Sequence, residues 1–250
     1  MTTLADRVVV VTGAGRGLGR SYAEQFGRDG ARVVVADVNG DGAEETAGHV
    51  RDAGGEALAV KVDVTDDASA QAMAREAEQE YGRIDVLVNN AGIWGDLDRT
   101  PLLTMDPDYW DTVLAVNLKG PLLCTRAVAP AMQRQGWGRI INISSMGAYM
   151  PAGAYSVSKL GLNQLTFSLA KELGDHGITV NAVAPGTMDN EATHQQVPDA
   201  AFERLVSQNI VKRAGTADDI YGLLRYLAGD EAEWVTGQTF LVNGGFSTRF

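Results

Sequence analysis

The chain has 250 residues and a mass of 26.6 kDa, with 45% apolar and 21% charged residues. Those values suit one large globular domain and exclude disorder, collagen and coiled coil as readings. With 21 basic and 32 acidic residues the net charge is −11, which repels phosphate backbones and anionic lipids, so neither nucleic acid nor membrane is an expected partner.

In chain order the pattern predicts a strand over 7–11, a helix over 18–28, a strand over 32–36, a helix over 42–53, a strand over 57–62 and a helix over 68–81. It continues with a strand over 86–88, a long helix over 109–134, a strand over 139–143, a helix over 154–173, a strand over 179–183, a helix over 218–227 and a strand over 239–242. Most strand segments are unbroken Val and Ile runs, the mark of strands buried on both faces. Strand and helix in alternation imply parallel pairing with right-handed crossovers. The expectation is a single α/β domain over 1–250, a doubly wound sheet of about seven parallel strands with helices on both faces. The polar, irregular stretch 186–211 breaks the rhythm and is read as a lid over a binding site. No apolar run reaches the roughly 20 residues of a membrane helix, and the N-terminal apolar stretch is too short for a signal peptide. With one cysteine, Cys124, and no disulfide to make, a cytoplasmic location is expected. The three scattered histidines and the cysteine give no metal-ligand spacing, so no metal is expected.

The first strand runs straight into Thr12, Gly13, Ala14, Gly15, Arg16, Gly17, Leu18 and Gly19, and then into a helix. Glycines at such a junction let backbone approach a pyrophosphate, and the helix start offers unpaired N–H groups. Asp37 closes the second strand, where an acid can accept from both hydroxyls of an adenosine ribose and repel a 2′-phosphate. That favours NAD; Arg16, a base inside the loop, is the feature that speaks for NADP. Asp63 and the pair Asn89 and Asn90 end the third and fourth strands on the same rim, where ligands of open α/β sheets bind. Asp63 is placed to accept from an adenine amino group, and Asn90 to serve either backbone or cofactor.

Tyr155 and Lys159 lie one helical turn apart on one face. A lysine cation near a phenol favours the phenolate and brings the tyrosine toward acid–base work. Ser144 and Ser145 end the fifth strand, where a hydroxyl can hold a carbonyl or alkoxide oxygen. Asn117 is an amide inside an apolar helix and needs a partner.

Taken as an ordered set, Thr12-Gly13-x-x-x-Gly17-x-Gly19, Asp63, Asn89-Asn90-Ala91-Gly92, Asn117, Ser145, Tyr155-x-x-x-Lys159 and Asn181-x-x-x-Pro185-Gly186 resemble the short-chain dehydrogenase/reductase family, in its shorter branch, over essentially the whole chain. The resemblance implies a Rossmann-type fold and a hydride transfer between a secondary alcohol or ketone and a nicotinamide. It implies Tyr155 as general acid/base, Lys159 on the nicotinamide ribose, Ser145 on the substrate oxygen and Asn117 in a proton relay. Gly13, Arg16, Gly17, Leu18, Gly19, Asp37, Val38, Asp63, Val64, Asn90, Ala91, Gly92, Tyr155, Lys159, Pro185, Gly186 and Met188 are the implied cofactor contacts. Two departures stand out. Ser145 precedes Tyr155 by ten residues, a shorter loop than the family's usual one, so either Ser144 or Ser145 faces the substrate, and Ser145 aligns when the strand is held fixed. Asn190 stands where the family often has a threonine on the carboxamide, a bond that Thr187 or Thr193 can also supply.

Trp94, Ser145, Met146, Tyr149 and Tyr155 are the expected substrate contacts, mostly apolar or aromatic, which points to a hydrophobic or cyclic alcohol or ketone. The competing readings are an NADP-linked 3-oxoacyl thioester reductase and, from another class, a non-catalytic dinucleotide sensor on the same fold. Family members of this branch are commonly tetramers, so a homotetramer is expected through the two long helices and the last strand, with Leu122, Leu123, Leu162, Leu165 and Phe167 as apolar surface.

Overall fold

The computed structural model describes residues 4–94, 100–190, 193–194 and 197–246. Four consecutive valines open the sheet in β1 (Val8–Thr12). Val8 and Val10 face one hydrophobic layer and Val9 and Val11 the other, all fully buried. A strand covered on both sides has no reason to alternate in polarity. The remaining strands are β2 (Arg32–Asp37), β3 (Glu56–Lys61), β4 (Val86–Asn89), β5 (Gly138–Ile143), β6 (Ile178–Pro185) and β7 (Thr239–Val242). They form one seven-stranded sheet in the order β3-β2-β1-β4-β5-β6-β7, with every pairing parallel. The expected doubly wound sheet is therefore present.

The helices α1 (Gly17–Arg28), α2 (Gly40–Asp52) and α8 (Ala217–Leu227) cover one face, contributing Tyr22, Phe26, Ala47 and Leu224 to its core. The helices α3 (Asp67–Tyr81), α5 (Gly120–Gln135) and α6 (Gly153–Leu173) cover the other with Met73, Val128, Met132 and Leu169. Strand order reverses at β1 and β4, which splays their connections apart and opens a crevice at the carboxyl edge. Among the described residues no helix is long and apolar enough to cross a membrane.

The long helix expected over 109–134 is broken into α4 (Pro107–Leu114), a π-helical turn over Ala115–Lys119, and α5. Pro121 has no N–H for the carbonyl four residues back, so an α-helical ladder cannot pass through Asn117. The chain widens instead, and the Gly120 N–H reaches back to the Ala115 carbonyl. The stretch 186–211, expected to be irregular, contains α7 (Asp199–Gln208); residues 191–192 and 195–196 of it lie outside the described residues.

At the opposite, amino-terminal edge, the wholly buried Asp85 carboxylate ties three segments. It accepts from the Val8 N–H at 2.9 Å, from Arg83 Nε at 2.8 Å and from Arg7 at 3.3 Å. A buried carboxylate held by two guanidinium groups and a backbone donor leaves those donors stranded when its charge is removed. Asp85→Asn is expected to lower unfolding stability by about 3 kcal/mol in a urea titration; a change no larger than that of a surface ion pair would contradict this account of the edge.

Candidate active site

The glycine loop is built against β4. The Thr12 hydroxyl accepts from the N–H groups of Asn90 and Ala91, each at 3.1 Å. The Asn90 side-chain amide donates to the carbonyls of Thr12 and Gly13, each at 3.0 Å. A Cβ on Gly13 would lie 2.6 Å from the Ala91 Cα, and one on Gly19 would lie 2.2 Å from the Gly13 carbonyl oxygen. Those two glycines exist because backbone packs on backbone there. Gly17 adopts φ +60° with open space around it, a conformation that suits glycine. Asn90, open between two roles in the sequence, commits its amide nitrogen to bracing this loop.

Asp37 sits at the end of β2 with one oxygen accepting from the Gly15 N–H at 2.8 Å and the other from the Asn39 N–H at 2.9 Å. Arg16 and Val38 on either side are exposed, and Leu18 is half-buried. Asp63 accepts from the backbone and hydroxyl of Thr65 at 2.9 and 2.7 Å, and these bonds hold its carboxyl below the usual range. Val64 is buried against Gly120.

Across the crevice, Ser145 precedes a short 3₁₀ turn, Met146–Tyr149, and its hydroxyl accepts from the Gly147 N–H at 3.0 Å. The same hydroxyl lies beside the Tyr155 ring across Gly147 and is the group that lowers the phenol's pKa against burial. Ser144 turns inward and donates to the Lys159 carbonyl at 3.4 Å, so Ser145 is the serine beside the phenol. A Cβ on Gly147 would stand 3.0 Å from the Tyr155 ring, which explains a glycine in so tight a loop.

Tyr155 is buried, which pushes its phenol up to about 12, while the Ser145 hydroxyl pulls the other way. Burial also lowers Lys159 to about 8. Its ammonium donates to the Ile143 carbonyl at 2.8 Å and lies 5.9 Å from the centre of the Tyr155 ring. The sequence leads one to expect a phenol made more acidic by its lysine. Burial instead makes the phenol less acidic, and the Ser145 hydroxyl is the neighbour that opposes the rise.

Asn117, in the π turn, is fully buried. Its oxygen accepts from the Ile93 N–H at 2.7 Å, and its nitrogen donates to the Ile93 carbonyl at 3.3 Å and to the Ser158 hydroxyl at 3.2 Å. Ser158 in turn donates to the Tyr155 carbonyl at 2.7 Å. This chain joins the strand-four loop to the helix that carries the phenol. Sequence reasoning passed over Ser158; its signal is a small hydroxyl three residues after the tyrosine, on the face that meets Asn117. Gly92 lies at the same junction, where a Cβ would sit 3.3 Å from the Asn117 oxygen and 3.5 Å from the Lys159 nitrogen.

Trp94 lies on Tyr155 with ring centres 5.0 Å apart and a tilt of 51°. Met146 is buried, and the Tyr149 hydroxyl accepts from Asn163 on α6 at 2.8 Å. Pro185 ends β6, the Gly186 N–H donates to Val242 at 3.0 Å, and Met188 is buried and bridges to Gly215. The Asn190 side-chain oxygen caps the next turn by accepting from the Thr193 N–H at 2.9 Å, whereas the Thr187 hydroxyl is buried without a partner among the described residues.

A family profile described as enoyl-(acyl carrier protein) reductase matches residues 13–247. An uncharacterized oxidoreductase of Mycobacterium tuberculosis is 44% identical over 240 residues, covering 96% of this chain and 97% of the relative. A 3-oxoacyl-[acyl-carrier-protein] reductase of Pseudomonas aeruginosa is 40% identical, covering 97% of this chain and 98% of the relative. The crystal structure of a levodione reductase superposes with a TM-score of 0.91 at 33% identity, covering 97% of this chain and 98% of that one. The likeness spans both the glycine loop and the tyrosine helix at full length, and the chain belongs to the short-chain dehydrogenase/reductase family of nicotinamide-dependent oxidoreductases.

Proposed function

We propose that this protein interconverts a secondary alcohol and a ketone with NAD, on a hydrophobic or cyclic substrate. The observation that carries the reading is the buried Tyr155 phenol beside the Ser145 hydroxyl, one turn from the Lys159 ammonium. The glycine cradle fits a dinucleotide: Gly17 has open space around it, and α1 follows its N-cap Arg16 without a side-chain cap, so its first N–H groups are available to a pyrophosphate. Asp37 supports NAD, since each of its oxygens keeps a lone pair for a ribose hydroxyl and its charge opposes a 2′-phosphate. Lys159, Tyr155, Pro185, Gly186 and Met188 are the residues that would hold the nicotinamide end, and the unpartnered Thr187 hydroxyl suits its carboxamide.

The bound nicotinamide supplies the hydride acceptor or donor. In reduction the phenol gives its proton to the carbonyl oxygen, which Ser145 orients. In oxidation the phenolate takes the hydroxyl proton. Asn117 and Ser158 hold the helix that carries the phenol, and Trp94 presents a flat apolar wall beside it. The segment 186–211, with α7, serves as the lid in this reading.

The named relative from Pseudomonas aeruginosa, together with the exposed Arg16, favours a second reading, an NADP-linked 3-oxoacyl thioester reductase; Asp37 opposes it. A panel of secondary alcohols with NAD and NADP, beside a 3-oxoacyl thioester with NADH and NADPH, separates the two. The expected result is NADH formation, fastest with apolar cyclic alcohols. Tyr155→Phe should reduce it by at least about a hundredfold while NAD still binds. Turnover of the thioester with NADPH alone would favour the second reading, and an unimpaired Tyr155→Phe would remove the acid/base role.

The pH dependence has a definite sign. Oxidation needs the phenolate and speeds up as pH rises, whereas reduction needs the phenol and slows. The Lys159 cation favours the phenolate, so Lys159→Met should move the rising limb of kcat/KM for oxidation to higher pH. A limb that stays in place would show that the ammonium does not act on the phenol.

A homotetramer is part of the proposal. Leu114, Leu118, Leu122 and Leu165 line an apolar groove of about 500 Å³ across α4 to α6, and Phe167 is exposed on α6 near Gly237. Leu123 and Leu162, expected on this surface, are buried in the chain's own core. Light scattering should give four times the chain mass, and a monomer would contradict this.

A further inference from the structure

We infer that Arg20 is a positioning residue for the dinucleotide, a tie that fixes the peptide plane at the tip of the glycine loop; this rests on the NAD reading above. Gly15 is held on both sides. Its N–H donates to Asp37 at 2.8 Å, and its carbonyl accepts from Arg20 Nη2 at 2.7 Å. The rest of the guanidinium is anchored in α2. Nε donates to the Thr46 hydroxyl at 3.0 Å, while Nη1 and Nη2 bond the two Glu45 oxygens at 3.0 and 2.9 Å. Thr46 is fully buried, so the anchor is fixed. The loop tip is wedged, since a Cβ on Gly15 would meet the Asp37 carboxyl at 2.9 Å and the Gly42 backbone at 3.2 Å.

A trans peptide points its C=O and the next N–H in opposite directions. Holding the Gly15 carbonyl toward α2 therefore aims the Arg16 N–H away from α2, and Arg16 is the uncapped N-cap of α1. The pair with Glu45 alone would be a helix–helix ion pair of small worth. The bond to the loop carbonyl makes it a link between α2 and the cofactor loop.

The test is calorimetric binding of NAD to the purified protein without substrate, for the parent, Arg20→Gln, Glu45→Gln and the double variant, with Arg28→Gln as a control on α1. Losing a charge-assisted hydrogen bond that orients the loop should weaken NAD binding about tenfold in Arg20→Gln. Glu45→Gln should weaken it less, the double variant no more than Arg20→Gln, and Arg28→Gln not at all. At saturating NAD, kcat of Arg20→Gln should stay within about twofold of the parent. An Arg20→Gln protein that binds NAD like the parent, or losses that simply multiply in the double variant, would overturn the inference. Should Arg20→Gln fail to fold, Glu45→Gln decides alone: weakened binding supports the tie and unchanged binding removes it. A parent that does not bind NAD at all would instead sink the reading on which this one rests.

Discussion

Two ionisable side chains, Tyr155 and Lys159, are taken out of water within one turn of α6, and desolvation pushes both toward their neutral forms. Among the described residues neither is compensated by an opposite charge; the lysine has the Ile143 carbonyl and the phenol has a serine hydroxyl beside it. Such an arrangement costs stability unless binding restores what burial removes. It is tolerated because the surrounding frame is rigid. Ser158, Asn117 and the Ile93 backbone fasten α6 to the strand-four loop, and Ser144 fastens it to β5. In the proposed function these two groups are a poised acid–base pair whose ionisation answers to the bound dinucleotide and substrate.

The crevice itself follows from chain topology. Reversal of strand order between β1 and β4 leaves their carboxyl ends without a crossover between them. Thr12 and Asn90 bridge that gap with four hydrogen bonds between side chain and backbone. This lets the glycine loop lie directly on Ala91, which is why side chains are excluded at Gly13 and Gly19. The loop, Asp37 and the tyrosine helix share one rim because parallel strands all deliver their ends to the same side. At the other rim, Asp85, Arg7 and Arg83 do the structural work, and that division leaves the carboxyl edge free for chemistry.

Much of this was legible in the residues. Valine runs without alternation can only be doubly covered strands, and the spacing of Tyr155 and Lys159 can only place them on one helix face. What escaped was contextual. The π turn comes from Pro121 disturbing a helix whose composition reads as continuous. Helix α7 lies in a stretch whose polarity suggested a loop. Leu123 and Leu162 are as apolar as Leu122 and Leu165, and only the phase of each helix against the sheet separates core from surface. The acidity of the phenol depends on its degree of burial, which no spacing reveals. Ser145 and Ser144 are chemically alike, and the turn of the backbone after β5 decides which one meets the phenol.

Ultraviolet difference titration of the parent against Tyr155→Phe, with and without saturating NAD, tests the central claim most directly. In the free protein the phenol should resist ionisation until about pH 12, and with NAD bound it should ionise at distinctly lower pH. A phenol that titrates at the ordinary tyrosine value in the free protein, or one whose curve NAD leaves unmoved, would contradict the account of Tyr155 as a buried, ligand-tuned acid and base.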